Sequence, residues 1–287
     1  MRSYAVIRSF SLRNEYGRSY RLDVPNRSFL YEPQGLGYEM EASYMKIGFN
    51  WVRNYFKDAQ AEISGSIVFT TDKPYLAASE FLQFIRSSSR LILVYTTDAG
   101  EYWRNVDLVA YEKTEIGEAG VLECPVTLRA LGLWYMNADT RFSISTGAAN
   151  DTLKYSYKWP SRFQQTVGGS LVITNAGSVP APFTVTFNGP IVNPKLILQV
   201  DGEEVSRVEI TGEADAGEAI KYSSIDGDLY CYQEDAQGVQ TNLVPDFNIN
   251  YDNFFRFPVG ESVLRVEADA QITQPIVVTM QKLFRAV

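Results

Sequence analysis

Five places in this chain hold side chains whose types and spacing raise the question of chemistry. In "KYSYKWPSRF" (154–163), Tyr155, Tyr157 and Trp159 fall on one side of an extended strand, with Lys154, Ser156 and Lys158 on the other. An aromatic row of this kind can stack on sugar rings or on bases, although such rows more often fill a core. In "SSIDGDLY", Asp226 and Asp228 flank a glycine. That suggests a calcium loop, but further oxygen ligands in register and a late Glu are missing, and a tight hairpin turn explains the same residues. "EADAGE" (213–218) gathers acids on what reads as an exposed, solvated loop. "GLGYEM" has two glycines without the strand-loop-helix context of a phosphate site. Arg-Asn-Val-Asp (104–107) reads as the unremarkable start of a strand.

The composition narrows the chemistry further. The 287 residues include no histidine, which removes the usual general base near neutral pH, the commonest zinc ligand and every Ser-His or Cys-His arrangement. Carboxylate-only catalysis, as in glycoside hydrolysis, survives that loss. No pair of acids stands out for it in the sequence. Cys124 and Cys231 form no metal spacing. They read as two separate buried thiols, with a single bridge as the alternative. No catalytic residue, metal site or cofactor is expected.

Charge and hydropathy add what the partners must look like. The formal net charge is −8. Residues 1–138 carry 15 Lys and Arg against 16 acids, and residues 139–287 carry 11 against 18. An acidic second half argues against tight nucleic-acid binding, because phosphates demand a basic surface. The first thirty residues run the other way, with Arg2, Arg8, Arg13, Arg18, Arg21 and Arg27 against Glu15 and Asp23. They form either a solvated face or a seam for an acidic partner surface. The amino terminus has arginines where a signal peptide needs an apolar run, and no stretch approaches the ~20 apolar residues of a membrane span. The expectation is a chain folded in a cytoplasm, with no membrane partner.

The elements that must position these residues are mostly strands. Aromatic residues make up 13% of the chain, with 18 Tyr and 16 Phe, and a pleated surface accepts such flat side chains. "YAVIRSFSL" and "SYRLDV" alternate apolar and polar residues. From 35 to 69 aromatic and polar residues mix without a lasting period, and the part over 35–62 reads as an arm that packs on another subunit. A helix is predicted over 73–87, with Asp72 as N-cap, Pro74 in the first turn and Ala78, Phe81, Leu82 and Ile85 on the buried face. Strands follow on either side of a turn at Asp98-Ala99-Gly100, and another spans Val121 to Leu131. A boundary near 138 divides the chain into domains 1–138 and 139–287. Beyond it ten short strands are expected, at 153–159, 170–174, 183–187, 195–200, 205–210, 219–224, 228–233, 254–257, 263–268 and 275–285. Asp-Gly turns lie at 201–202 and 226–227, and the spacing points to a two-sheet sandwich.

Three segments together resemble the distal tail proteins of long-tailed, non-contractile phages infecting Gram-positive bacteria. One is "ISGSIVFTTDKPYLAASEFLQFIRSSSRLILVYTTDAGEYWRNVDLVAYEK" (63–113), similar to that family's strand, helix, strand, tight turn and "y-x-R-x-V" strand, the last carried by Tyr102, Arg104 and Val106. Another is "TLRALGLWY" (127–135). The third is "NAGSVPAPFTVTFNGPIVNPKLIL" (175–198) with "FRFPVGESVLRVEA" (255–268). The resemblance implies a mainly β fold: a β-rich, ring-forming N-terminal domain with one α-helix and an extended arm, then a galectin-like β-sandwich. It implies a homohexameric ring, single or stacked, located at the virion tail tip and assembled in the host cytoplasm. The ring would join the tail tube protein to the tail-tip protein and carry receptor-binding parts, and DNA would pass its channel without specific binding. Under that reading the interface residues are the large apolar or basic side chains of the arm: Tyr38, Met40, Tyr44, Phe49, Trp51, Arg53 and Tyr55. The competing function is a carbohydrate-binding adhesin, with Tyr155, Tyr157 and Trp159 stacking on sugars.

Overall fold

The computed structural model describes residues 8–118, 120–142, 167–269 and 272–287. Among the described residues the chain is mainly β with one α-helix, as the alternating patterns and the resemblance imply. It divides into two compact units, Met1–Met136 with Phe284–Val287, and Asn137–Leu283.

In the first unit the chain runs through β1 (Ser9–Asn14), β2 (Ser19–Arg21), β3 (Asp23–Val24), β4 (Ser28–Gln34), β5 (Met40–Ile47), β6 (Asn50–Asp58) and β7 (Glu62–Phe69). After helix α1 (Pro74–Arg86) come β8 (Leu91–Thr97), β9 (Gly100–Tyr111), β10 (Leu122–Ala130) and the start of β11 (Trp134–Phe142), which runs past the boundary at Met136. Antiparallel pairing orders them β2-β1-β8-β9-β10-β7-β4-β3, and among the described residues β5 and β6 pair only with each other. The long β9 makes this possible, since its first half pairs with β8 and its second half with β10. Along β10 every second side chain turns inward, so that Leu122, Cys124, Val126 and Leu128 are all buried. They meet Leu12, Ile63, Ile67, Phe69, Leu93 and Trp134 in one core.

Helix α1 covers that core through Pro74, Ala77, Ala78 and Phe81. The Phe81 ring packs against Tyr20, Phe69 and Tyr111 at centroid separations of 5.2, 6.4 and 5.6 Å. The expected face is right at Ala78 and Phe81, which are buried; Leu82 and Ile85 are only half-buried, and the buried stripe starts earlier, at Pro74 and Ala77. Asp72 is not the cap. Lys73 holds the N-cap position with no side-chain hydrogen bond, and its N–H donates to Thr71 Oγ1 at 3.2 Å. Pro74 explains the difference, because a proline at N1 already removes one of the unsatisfied N–H groups that a cap would serve. At the other end the Ser87 and Ser88 hydroxyls both donate to the Phe84 carbonyl, at 2.8 and 2.7 Å, and the helix stops.

The second unit continues with β12 (Val167–Asn175), β13 (Phe183–Asn188), β14 (Ile191–Val192), β15 (Lys195–Val200), β16 (Glu203–Glu209), β17 (Glu213–Ala214), β18 (Ala219–Ile225), β19 (Asp228–Glu234), β20 (Gln240–Asn242), β21 (Gly260–Ala268) and β22 (Ile276–Phe284). One sheet is ordered β20-β19-β18-β13-β22, a second β12-β21-β15-β16, and β14 pairs with β17. Phe183, Val185 and Phe187 from the first sheet share a core with Leu196, Leu198, Val208, Leu264 and Val266 from the second. The strand candidate at 153–159, with Tyr155, Tyr157 and Trp159, lies outside the described residues.

"FTVTFNGPIVNPKLILQVDG" crosses between the two sheets, since β13 belongs to one and β15 to the other. The corner needs Gly189, where a Cβ would stand 2.0 Å from the Asp215 carbonyl oxygen. Both Asp-Gly sites are hairpin turns: Asp201–Gly202, at φ 52° and 87°, links β15 to β16, and Gly227, at φ 76°, links β18 to β19. One expected strand is missing from this unit. Residues 254–257 form no strand, only a bridge from Phe257 to Ala181, because Pro258 has no N–H to extend a ladder and Phe255 and Phe257 turn into the core. In "EADAGE" Glu213 and Asp215 are exposed as expected, while Glu213–Ala214 pairs with β14 and Ala214 is buried.

Candidate assembly interface

The arm residues assemble a hairpin. β5 and β6 pair from Met40↔Asp58 to Ile47↔Asn50, with a bulge between Ser43 and Tyr44. Gly48–Phe49 closes the tip, with Gly48 at φ 61° in the first central position that a two-residue hairpin loop reserves for glycine. That Gly-Phe pair between two apolar runs is a hairpin signal present in the sequence, and it explains why a single helical or strand period could not be found across 35–62. Each strand alternates, but the bulge shifts the alternation partway along the pair.

No residue of β6 is buried. Of the seven expected interface residues, Tyr38, Tyr44, Phe49, Trp51, Arg53 and Tyr55 are exposed and Met40 is half-buried. Phe49 at the tip is fully exposed, and Trp51 is 68% exposed. Met45, Ile47, Val52 and Phe56 are exposed as well, and sequence reasoning left them out. Their signal was the opposite parity of the same two strands.

The base of the hairpin is held by a cluster that the sequence did not reveal. Gly35, at φ 78°, lies so close to β7 that a Cβ would stand 1.9 Å from the Glu62 carbonyl oxygen. The Ala59 N–H donates to the Glu39 carbonyl at 3.1 Å. Arg285, from the carboxyl-terminal segment of this unit, donates from Nε to Asp58 at 3.0 Å and sets its guanidinium 5.6 Å from the centre of the Tyr38 ring. Beside it Phe284 meets Tyr102 edge-on at 5.4 Å. Further out, Glu41 accepts from Lys57 and from the Tyr55 hydroxyl, each at 3.0 Å, and these bonds hold its carboxyl below the usual range.

Other charged groups have local duties. Arg21 pairs with Asp23 and Arg27 with Glu80, so two of the amino-terminal arginines are already engaged within this unit. Arg104 is no ordinary strand residue. It is 3% exposed, donates from Nε to the Gly132 carbonyl at 2.8 Å and lies 5.3 Å from the Trp134 ring centre. Burial pulls its pKa down to about 10. Glu15 accepts from the Ser89 N–H, the Ser89 hydroxyl and the Arg90 N–H, and its pKa falls to about 2.

In the second unit Asp226 pairs with Arg256, and a cleft of about 480 Å³ is lined by Thr186, Asn188, Glu218, Lys221 and Glu234 among others. Lys221 there is already paired with Glu234 at 2.6 Å. Both cysteines are buried and free, Cys124 in the first unit and Cys231 in the second. Burial pushes the Cys231 thiol up to about 12, which makes it inert near neutral pH. Among the described residues no helix is long and apolar enough to cross a membrane.

A mainly β chain of this architecture, with an apolar hairpin standing off its first unit, has the fold of phage tail-hub proteins. It matches a chain of the phage P2 baseplate in its activated conformation with calcium at a TM-score of 0.66 and 14% identity, covering 98% of this chain and 100% of that one. It matches the SPP1 Dit protein, described as a paradigm of the hub adsorption apparatus in phages infecting Gram-positive bacteria, at 0.62 and 11% identity, covering 95% and 98%. No curated protein sequence matches the chain. Residues 9–131 match the family described as the distal tail protein, N-terminal domain. The resemblance carried by residues 63–113 and by the start of 127–135 is thereby shown for that span.

Proposed function

We propose that this chain is a structural, non-enzymatic hub of a phage tail tip or baseplate. Copies of it close into a hexameric ring, each arm clasping a neighbour. The ring joins the tail tube protein above to the tail-tip protein below, its galectin-like second domain faces outward toward receptor-binding parts, and DNA leaves through the channel. The observation that carries this reading is the hairpin of residues 40–58, which projects apolar side chains from a unit matched as a distal tail protein domain. A two-stranded hairpin is marginal by itself in water, and a large exposed apolar patch marks an interaction site. An obligate interface stabilised at roughly 25 cal/mol per Å² of buried apolar area would account for both.

Deleting residues 36–57 tests it. The shortened protein is expected to remain folded, because the buried core residues of both units lie outside the deletion, which takes only half-buried Leu36 from the edge of the first core. Light scattering should then give a monomer where the full chain gives a ring. A shortened protein that is still hexameric refutes the role given to the arm.

A further inference from the structure

The arm carries apolar side chains on both of its faces, not on one. Strand pairing assigns the faces. Glu41, Ser43, Met45 and Ile47 of β5 lie opposite Lys57, Tyr55, Val52 and Asn50 of β6 on one side. On the other side Ala42, Tyr44 and Lys46 lie opposite Phe56, Arg53 and Trp51. Neighbouring side chains agree with the pairing. Lys57 sits over the Tyr55 ring on the first face, and Arg53 sits 4.9 Å from the Phe56 ring centre on the second. Met45, Ile47, Val52 and Tyr55 are exposed on the first face, and Tyr44, Trp51 and Phe56 on the second.

An arm laid over the outside of a neighbour needs only one apolar face. Its other face would meet water and would alternate to polar residues, as half-buried strands do. Polar residues lie on both faces of this hairpin, but each face also exposes at least three large apolar side chains, so neither is a water-facing side. Its distal part, residues 42–56, has Lys46 and Arg53 but no acid, on a chain whose net charge is −8. A cationic, aromatic blade is complementary to the acidic body of another copy.

We infer that the arm is a wedge, buried on both faces by other copies of this chain. The inference rests on the ring reading above and goes beyond it, since clasping alone would need one face.

Two variants of the full chain separate the possibilities. Met45→Thr/Val52→Thr makes the first face polar, and Tyr44→Thr/Trp51→Thr does so to the second. Threonine keeps the hairpin's strand preference, and circular dichroism melting of each variant at a concentration below assembly should match the parent. Light scattering against concentration is expected to show that each pair raises the half-assembly concentration by about 100-fold, because each takes two large apolar side chains per copy out of the interface. If one variant assembles like the parent, the wedge is refuted while the clasping arm stands. If both assemble like the parent, the arm touches no neighbour at all and both readings fall. A parent chain that stays monomeric also refutes both.

Discussion

Glu15 shows how much one exposed carboxylate can be bent to a structural task. Its oxygens take hydrogen bonds from Ser89 and Arg90, where the chain leaves the helix for β8, and these bonds favour the charged form and lower its pKa from 4.5 to about 2. A folded-state pKa below the unfolded one means that the stabilisation is present above about pH 4.5 and is lost as the pH falls toward 2. Glu15→Gln should therefore melt below the parent at pH 6, with the gap closing by about pH 2.5. A gap of the same size at both values would remove the carboxylate from the account. Arg104 presents the opposite case, a guanidinium taken out of water with a carbonyl and an indole face for company. Among the described residues its Nη1 finds no hydrogen-bond partner. Its guanidinium bonds the Gly132 carbonyl while lying over the Trp134 ring, a fixed geometry that a lysine's single ammonium does not reproduce. Arg104→Lys should lower stability by about 1–3 kcal/mol, read from chemical denaturation. An unchanged midpoint would show that only the aliphatic stem matters.

At the scale of the element, the hairpin is a lever with a small fulcrum. Eight residues of strand at about 3.3 Å each make an arm of roughly 25 Å, so a tilt of about 20° at the base moves the tip by about 9 Å. The Asp58–Arg285 pair, with Tyr38 under the guanidinium, sits at that base. Both side chains are partly exposed, and such pairs contribute little to global stability. Their effect should appear in the arm's freedom instead. A fluorophore on Phe49→Cys can report it, because the native thiols Cys124 and Cys231 are buried. Asp58→Arg is expected to increase the label's rapid depolarisation, and Asp58→Arg/Arg285→Asp to restore it. Equal anisotropy in all three proteins would show that the base is held by Gly35 and the backbone alone. Neither a lasting period nor the pairing was legible in the arm, because apolar side chains lie on both faces of the hairpin and the bulge at Ser43–Tyr44 breaks the register that a periodic reading assumes.

For the whole molecule, local patterns determined the class. Period-two alternation, Asp-Gly turns and one proline-led amphipathic run are properties of neighbouring residues, so a mainly β chain with a single helix followed from the sequence, as did the lack of any histidine chemistry. Tertiary structure decided what depends on distant surfaces meeting. It placed β13 and β15 in different sheets, sank Arg104 into the core, carried Arg285 back to Asp58 and left the β5–β6 hairpin standing clear of any core of its own. None of these can be read from spacing, because burial is fixed by which apolar faces cover each other, and a strand's alternation names its two faces without saying what lies against either.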